Sequence, residues 1–535
     1  MHRREFLAFL GRGAALSAAT AAGITWLGGC QPSKHSQKAL LKGVPFKALA
    51  PTAVDDVVLA DGFNYQFLLR QGDAISDTDT FGSDNDYNAF FPFDTQNPND
   101  GILWTNHEYL MPLFISGWDG HGEHTLAQVD KEQYEVGGCL VRIRRNAQGK
   151  WEVVKNDPHN RRLTAKTPIP MRWHEPIKGA TVAIGTLGNC AGGVTPWRTV
   201  LTCEENYYLF YGETDYKTGK THEGSYLGWE KHYPNPSEHY GWVTEIDPFT
   251  GEAQKLIALG RCAHECATVF ETPDKRAVVY MGDDANDQCI YKFVGDKPGS
   301  LLTGKLYVAN IEKGKWESLD YTEQAILRQH FASQTEVQIR LREAAALVGG
   351  SLLDRPEDIE IDPLTGHILI TLTNNKPKKN YYGSILKIVE KSADKCGTEF
   401  SSSVFLSGGV ETGFACPDNL AFDRNGNLWF VSDIAGSSAN KAPYASFKNN
   451  GLFLVPAYGK DAGKVIQVGS APIDAEFTGP VFSPDGKTLF LSVQHPGEES
   501  QSLDAMTSHF PDGGNAIPRS AVIAISGVAL EAICS

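Results

Sequence analysis

The sequence predicts an all-β chain whose strands form the blades of a β-propeller. From about residue 61 onward, short apolar runs alternate with turn residues, and the 535 residues include 53 Gly and 28 Pro. A strand–turn–strand pattern, with Asp and Gly in the turn, occurs four times, at residues 246–251, 361–366, 422–426 and 482–486. The last three copies are about 60 residues apart, a spacing typical of propeller blades.

A β-sandwich is the competing fold for a chain of short antiparallel strands. The long and even run of turns favours the propeller over the sandwich. In a propeller the inner strand ends meet at one central channel, so polar residues from distant parts of the sequence can form a single site.

The chain also contains insertions between the predicted strands. Near residues 322–347 apolar residues recur at helical spacing with charged residues between them, which predicts a helical insertion that acts as a lid or a packing element. We expect residues 31–55 to form a polar tether and residues 56–535 to form the propeller domain.

Residues 1–30 have the pattern of an export signal. Arg3 and Arg4 precede a weakly hydrophobic run rich in Ala and Gly, as in a twin-arginine signal peptide. This run is too short for a good membrane span. Residues 27–30 resemble a lipobox, which predicts lipidation of Cys30, and an ordinary cleavage site nearby is the alternative.

The formal net charge of the chain is −15. Affinity for nucleic acid comes from Lys and Arg contacts with phosphate, so we expect no nucleic-acid partner. An anionic substrate would need local positive charge in its site, and bound metal ions are the most direct source of it.

The stretch at residues 189–206 places a thiol and two adjacent carboxylates close together in sequence. Side chains alternate along a strand, so Glu204 and Glu205 should point in opposite directions, one of them toward a central cavity. Thiolate, as at Cys190, favours iron, zinc or copper, whereas carboxylate favours calcium, magnesium or manganese. A buried cysteine beside a solvated pair of glutamates is the alternative interpretation.

Further acidic residues, and one asparagine beside them, stand at the edges of predicted strands throughout the chain. Each alone is typical of a surface turn, but in a closed repeat fold they indicate one pooled site. Oxygen-rich ligand sets suit calcium, and the addition of Cys190 suits iron beside it. The residues are Glu108, Glu265, Asp283, Asp284, Glu357, Asp418, Asn419 and Glu476.

An ordered series of motifs includes GTLGNCAGGVTPWRTVLTCEEN at 185–206, LGRCAHE at 259–265, YMGDDANDQCIYKFV at 280–294, DRPED at 354–358, CPDNLAFD at 416–423 and FTGPVFSPDGKTLF at 477–490. Over residues 61–522 the chain resembles the PhoX family of bacterial alkaline phosphatases. The resemblance implies a six-bladed β-propeller, export by the twin-arginine route, and a site with two Fe3+ and three Ca2+ ions around a bridging oxo group.

The resemblance also implies roles for individual residues. Cys190 corresponds to an iron thiolate ligand and Glu265 to an iron-site carboxylate. Arg355 corresponds to the arginine that holds the substrate phosphate. The metal-bridging or calcium ligands are Glu205, Asp284 and Glu357, their neighbours Glu204 and Asp283 are alternatives, and further candidates for the same cavity are Glu108, Asp418, Asn419 and Glu476.

The implied activity is hydrolysis of phosphate monoesters with release of inorganic phosphate. We expect a monomer in the periplasm or anchored at the cell surface, with a small phosphomonoester as substrate. A calcium-dependent hydrolase of the lactonase type is one rival function, and it would need no cysteine in its site. A propeller that only binds other proteins is a second rival, and it would tolerate loss of the carboxylates.

Overall fold

The computed structural model describes residues 43–216, 218, 220–221 and 225–534. The predicted signal peptide and Cys30 lie outside these residues. Six antiparallel sheets of four or five strands surround a common axis, which confirms the six-bladed β-propeller.

The strands are numbered along the chain. The first two, β1 (Val58–Leu59) and β2 (Asn64–Arg70), join blades 5 and 6 respectively. Blade 1 contains β3 (Asn85–Pro92), β4 (Asp100–His107), β5 (Gly137–Arg145), β6 (Trp151–Val153) and β7 (Arg161–Leu163). A hairpin of β8 (Pro168–Pro170) and β9 (Val182–Ile184) follows.

Blade 2 contains β10 (Asn189–Val194), β11 (Val200–Glu204), β14 (Val243–Ile246) and β15 (Ala253–Lys255), with the hairpin of β12 (Thr214–Asp215) and β13 (Lys220–Thr221) between β11 and β14 in sequence. Blade 3 contains β16 (Thr268–Glu271), β17 (Ala277–Gly282), β19 (Ile290–Gly295), β20 (Gly304–Asn310) and β21 (Lys315–Ser318). A separate pair is formed by β18 (Asn286–Gln288) and β22 (Leu353–Asp354).

Blade 4 contains β23 (Pro356–Ile361), β24 (Ile368–Leu372), β25 (Ser384–Glu390) and β26 (Phe400–Ser407). Blade 5 adds β1 to β27 (Pro417–Phe422), β28 (Leu428–Ser432), β29 (Gly451–Val455) and β30 (Ile466–Ser470). Blade 6 adds β2 to β31 (Glu476–Phe482), β32 (Leu489–Gln494) and β33 (Ala521–Ser526).

The innermost strands of the six blades form a closed ring around the channel. Each contacts the innermost strand of the next blade, in the order β3, β10, β16, β23, β27, β31 and back to β3. The ring is closed by pairing of β2, from the start of the domain, with β33 from its end. Because a closed ring leaves no interface between blades open, both faces of each sheet can be buried.

Apolar side chains fill the spaces between neighbouring blades. Trp104 and Leu140 of blade 1 pack with Val200 of blade 2, and Ile385 of blade 4 packs with Phe430 of blade 5. Each such side chain contributes roughly 1.5–3 kcal/mol when fully buried. The packing between sheets therefore fixes where the inner strand ends stand around the channel.

Part of the predicted polar tether lies on the propeller. Val44, Phe46 and Leu49 pack against a core cluster of blades 5 and 6, and the Leu49 N–H donates to the Gln467 carbonyl at 2.9 Å. The prediction of a polar tether is therefore wrong for residues 43–55, because apolar side chains of this segment pack against the propeller.

Seven α-helices occur among the described residues. They are α1 (Pro112–Ile115), α2 (Leu126–Glu135), α3 (Tyr208–Tyr211), α4 (Ala325–His330), α5 (Gln334–Ile339), α6 (Leu341–Val348) and α7 (Val528–Cys534). None of these helices is long and apolar enough to cross a membrane.

The helical insertion forms three short helices, α4 to α6, where the periodicity predicted one helical stretch. The Ser333 hydroxyl caps α5 by accepting from the Glu336 N–H at 3.3 Å, and Arg340 leaves helical geometry with a ψ of 45° between α5 and α6. Leu327, Val337 and Leu341 are buried against blades 2 and 3. The insertion is thus a packing element.

Candidate metal centre

The innermost strand of every blade brings one carboxylate or thiol to the same end of the channel. In blades 1, 2, 4 and 5 this residue is the second of the strand, in blade 6 it is the first, and in blade 3 it precedes the strand by three positions. All six are buried. We call this set the inner ring, and it consists of Asp86, Cys190, Glu265, Glu357, Asp418 and Glu476.

Bulges at the start of the inner strands direct these side chains. The register shifts between Asn85 and Asn88 in blade 1 and between Asn189 and Gly192 in blade 2. Similar shifts occur between Pro356 and Ile359, and between Pro417 and Leu420. A bulge leaves an extra residue unpaired and re-aims its side chain, which here turns the second residue of the strand toward the axis.

A second set of polar side chains surrounds the inner ring. In each blade it is the first or second residue after the second strand, where the chain turns away from the axis. We call this set the outer ring, and it consists of Glu108, Glu205, Asp284, Asn374, Asp433 and His495.

The two rings line a cavity of about 340 Å³ at one end of the channel. The inner ring contributes all six of its residues and the outer ring contributes all except Asn374. Tyr109 and Leu209 add an apolar side to the wall, and Arg355 adds a guanidinium. One cavity therefore collects acids from all six blades.

Three groups in this cavity have the geometry of metal sites. The Cys190 sulfur lies 3.1 Å from Glu265 Oε2 and 3.5 Å from Asp86 Oδ2. Ligand atoms within 4.8 Å of one another occur in three sets, which are Asp86 with Glu108 and Cys190, Cys190 with Glu205 and Glu265, and Glu265 with Asp284 and Glu357. Adjacent sets share Cys190 or Glu265, so the arrangement is that of a multinuclear centre.

The electrostatics of the cavity favour bound cations. Burial, and then the neighbouring carboxylates, raise the pKa of Glu265 well above its usual range. Burial raises the pKa of Glu476 to about 8, with Asp433 adding to the effect. Asp86 Oδ1 and Glu476 Oε2 are buried without a hydrogen-bond partner among the described residues. Such groups are costly unless a cation meets them, so the residues present fit metal ions.

Arg355 crosses the cavity wall between blades 3, 4 and 5. Its Nε and Nη2 donate to the two oxygens of Asp284 at 2.9 and 2.6 Å. Its Nη1 lies 3.1 Å from Asp433, and its Nη2 lies 2.7 Å from Glu357. The planar fork of arginine matches carboxylate and phosphate oxygens equally well. Arg355 is therefore positioned among the acids that would bind metal.

Two of the candidate acids lie outside the cavity. Glu204 accepts from Lys255 Nζ at 2.7 Å and from the Trp242 N–H at 3.1 Å, deep in blade 2. Asp283 accepts from Arg342 Nε of α6 at 2.9 Å and from the Ala263 N–H at 3.2 Å. These partners neutralise both acids, so their inclusion as metal candidates is corrected. The opposite orientation of Glu204 and Glu205 follows the expected strand alternation.

Asn419 also differs from its predicted place, because it does not line the cavity. Its amide donates to Asp418 Oδ1 at 2.9 Å, and its amide nitrogen lies 3.4 Å from Glu265 Oε1. Its oxygen accepts from the Gly479 N–H at 2.7 Å. Asn419 thus orients Asp418 and Glu265 from outside the cavity.

Among the lining residues with a carboxylate or imidazole, three were missing from the sequence-based candidates, namely Asp86, Asp433 and His495. A positional signal was available for two of them. Asn-Asp at 85–86 has the same place at the start of β3 as Asn-Cys at 189–190 at the start of β10. Asp433 follows β28 as Glu205 follows β11. Comparison of blade positions, in addition to acidic motifs, would have found both.

The family model of alkaline phosphatase PhoX matches residues 44–497. The chain belongs to the PhoX family. A solved structure of Pseudomonas fluorescens PhoX in complex with vanadate, a transition state analogue, has a TM-score of 0.81 and 29% sequence identity, and the match covers 90% of this chain and 98% of that one. This likeness extends the PhoX assignment over nearly the whole chain.

A structure of a protein of unknown function from Dyadobacter fermentans is similar at a TM-score of 0.40 and 8% identity, covering 87% of this chain and 100% of that one. No curated protein matches the chain. Membership of PhoX confirms the predicted family, the propeller fold and the class of enzyme, a phosphomonoesterase.

Proposed function

We propose that this PhoX chain hydrolyses phosphate monoesters to inorganic phosphate at a multinuclear metal centre in the cavity. The observation that carries the proposal is the convergence of one thiol and a ring of carboxylates from six blades beside Arg355. A lactonase-type calcium site needs no thiol, and a propeller that only binds proteins needs no converging buried acids. Both rival functions leave this arrangement unexplained.

Two Fe3+ ions, three Ca2+ ions and a bridging oxo group are our proposal for the contents of the centre. Cys190 with Glu265 and Asp86 offers the softer set of donors, which suits iron. Glu205, Asp284 and Glu357 offer oxygen alone, which suits calcium. When bound, such ions would neutralise phosphate oxygens and assist both the attacking and the leaving oxygen.

The protein itself would hold and orient the substrate. Phosphoryl transfer depends on positioning and charge neutralisation more than on covalent help from side chains. Arg355 would donate to two phosphate oxygens through its planar fork. Asn206 donates to Glu108 Oε1 at 2.9 Å and Gln494 donates to Glu108 Oε2 at 2.6 Å, which fixes the direction of that carboxylate.

Metal analysis together with an activity assay tests this proposal. Purified mature protein should contain iron and calcium and should release product from a chromogenic phosphate monoester. A strong chelator should abolish that release, and Ca2+ should restore at least part of it. Full activity in protein free of both metals would contradict the proposal.

Export is a further part of the proposal, and it depends on residues 1–30. A twin-arginine signal would deliver a folded, metal-loaded monomer to the periplasm, and lipid on Cys30 would anchor it to a membrane surface. Fractionation of cells that express the chain with Arg3 and Arg4 intact, or both replaced by Lys, tests the route. We expect the Lys variant to stay in the cytoplasm and the chain with both arginines to be exported. Equal export of the two proteins would contradict the twin-arginine route.

A further inference from the structure

A second cavity adjoins the metal cavity on the side of blades 4 and 5. It has a volume of about 280 Å³ and shares Arg355 and Asp433 with the metal cavity as lining residues. Asn374, Lys376 and Tyr444 are among its other lining residues, and we call this space the annex. A group attached to a phosphate held by Arg355 would therefore have the annex beside it.

The annex carries one positive charge that no acid neutralises. Lys376 makes no ion pair among the described residues. Its Nζ contacts the Ser438 hydroxyl at 3.1 Å and lies 5.7 Å from the centre of the Tyr444 ring. The acid of the annex, Asp433, is paired with Arg355 at 3.1 Å. Lys376 is solvent-exposed and lines the annex, so its charge is available to an anionic group placed there.

Hydrogen bonds of neighbouring residues fix the backbone at Lys376. The preceding residue, Asn375, is fully buried, and its amide donates to Asp287 at 3.0 Å and to Asp354 at 2.8 Å. Its oxygen accepts from the Lys378 N–H at 3.2 Å. The backbones of Asn375 and Asn380 exchange hydrogen bonds of 2.7 and 3.0 Å, which closes the loop. The backbone of Lys376 thus lies in an ordered turn, so binding need order only its side chain.

We propose that the annex receives the leaving group and that Lys376 favours leaving groups that carry a phosphate or carboxylate of their own. This inference rests on the proposed phosphatase function and names a substrate class for it. Water attacks phosphorus, the ester P–O bond breaks, and the leaving group departs as an alcohol after taking up a proton. Lys376 exchanges no atom in this reaction and acts only through its charge.

Matched pairs of substrates test the role of Lys376 in the holoenzyme. We compare 3-phosphoglycerate with glycerol 3-phosphate, which differ by a carboxylate, and fructose 1,6-bisphosphate with fructose 6-phosphate, which differ by a phosphate. For Lys376→Ala we expect kcat/KM to fall about fivefold for the charged member of each pair, the size of a solvent-screened ion pair, and to change little for the other member. Lys376→Glu should enlarge the difference.

Lys379→Ala is the control, because Lys379 carries the same charge in the same loop but does not line the annex. It should leave the kcat/KM of every substrate unchanged. Equal effects of Lys376→Ala on both members of each pair, or no effect on either, would overturn the inference while phosphatase activity stands. Wild-type holoenzyme that hydrolyses neither these four substrates nor the chromogenic phosphate monoester would overturn the phosphatase proposal itself.

Discussion

Cys190 is the residue that distinguishes this cavity from an ordinary acidic calcium site. Burial, and then the acids Asp86, Glu108 and Glu265, raise the pKa of its thiol well above the usual range. A thiol in such surroundings stays protonated and inert unless a metal ion removes the proton. Cys190 can therefore act as a thiolate only when a cation is bound.

Replacement of Cys190 by Ser should remove iron before calcium. The hydroxyl retains the size of the side chain but lacks the thiolate that selects iron. Iron bound to a thiolate absorbs visible light by charge transfer, so we expect the iron-loaded wild type to show such a band and the variant to lack it. We also expect the specific activity to fall at least tenfold. Metal analysis, a spectrum and an activity assay of the same sample measure these changes. Cys396→Ser is the control, because Cys396 is half-buried and lies outside the cavity. Unchanged iron content in the Cys190 variant would exclude the thiolate ligand.

Arg355 should act on substrate more than on the metals. Removal of a charged donor that is aimed at a transition state typically costs about 10²–10³ in kcat. We expect Arg355→Ala to lower kcat by about this factor with metal content unchanged. Arg355→Lys should recover part of the rate, since it restores charge without the planar fork. Loss of metal from both variants would assign Arg355 a structural role instead.

Individual site residues differed in how well sequence alone could predict them. Glu205 and Glu265 were predictable because each stands at a strand edge in a dense motif. The burial of Glu204 with Lys255 was not predictable, since it depends on the pairing of β14 with β15 in space. Contacts between residues about 50 apart in sequence leave no local pattern.

At the scale of elements, the turn motifs predicted the strand pairs well. The turns at 361–366, 422–426 and 482–486 each join the first two strands of a blade, namely β23–β24, β27–β28 and β31–β32. The turn at 246–251 joins the last two strands of blade 2 instead. Strand–turn–strand patterns indicate that two strands pair, and they carry no information about which blade position the pair occupies.

Among the described residues, one ion pair joins the helical insertion to the site. Arg342 of α6 donates to both oxygens of Asp283, whose side chain is fully buried and precedes the outer-ring residue Asp284. An acid left unpaired at such depth is strongly destabilising, whereas an exposed pair contributes little. The insertion therefore stabilises the start of the outer ring in blade 3.

Arg342→Gln should reduce the free energy of unfolding by about 2 kcal/mol, a value lowered from that of a fully buried pair because Arg342 is partly exposed. Urea unfolding of the holoprotein measures it. The control is Arg340→Gln, whose partners Glu336 and Glu343 have side chains that are 34% and 42% exposed, and it should change stability by less than about 0.5 kcal/mol. Equal losses of unfolding free energy in the two variants would show that the ion pair of Arg342 with Asp283 contributes no more than the ion pairs of Arg340.

At the scale of the whole molecule, ring closure brings together acids that would separate if the blades came apart. The inner ring takes one residue from each blade. Repulsion among its acids therefore destabilises the closed propeller and not any single blade. In protein without metal this repulsion opposes folding, and bound cations reverse its sign. Metal content and stability should therefore change together.

The pH dependence of stability should reveal this coupling. Glu476 has a folded-state pKa of about 8, and the pKa values of Glu265 and Asp86 are raised well above their usual range by burial and neighbouring acids. Between an ordinary carboxyl pKa near 4 and these raised values, the folded state binds more protons than the unfolded state. The free energy of unfolding of metal-free protein should thus fall as the pH rises through this window.

Thermal unfolding at pH 6.5 and at pH 8, with and without a chelator, measures this difference. Chelated protein should unfold at a temperature several degrees lower at pH 8 than at pH 6.5. The free energy of unfolding should fall by about 1.4 kcal/mol for each unit of pKa shift that lies within this pH interval. His264 acts in the opposite sense, since burial lowers its pKa to about 4, but its effect is confined to pH values below about 6.5. Metal-loaded protein should show a smaller fall, because the cations replace the protons on the cavity acids. Asp358 and Glu360, with pKa values of about 7 and 8, lie outside that cavity and titrate in both forms. An identical fall in both forms would place all the titrating acids outside the metal centre.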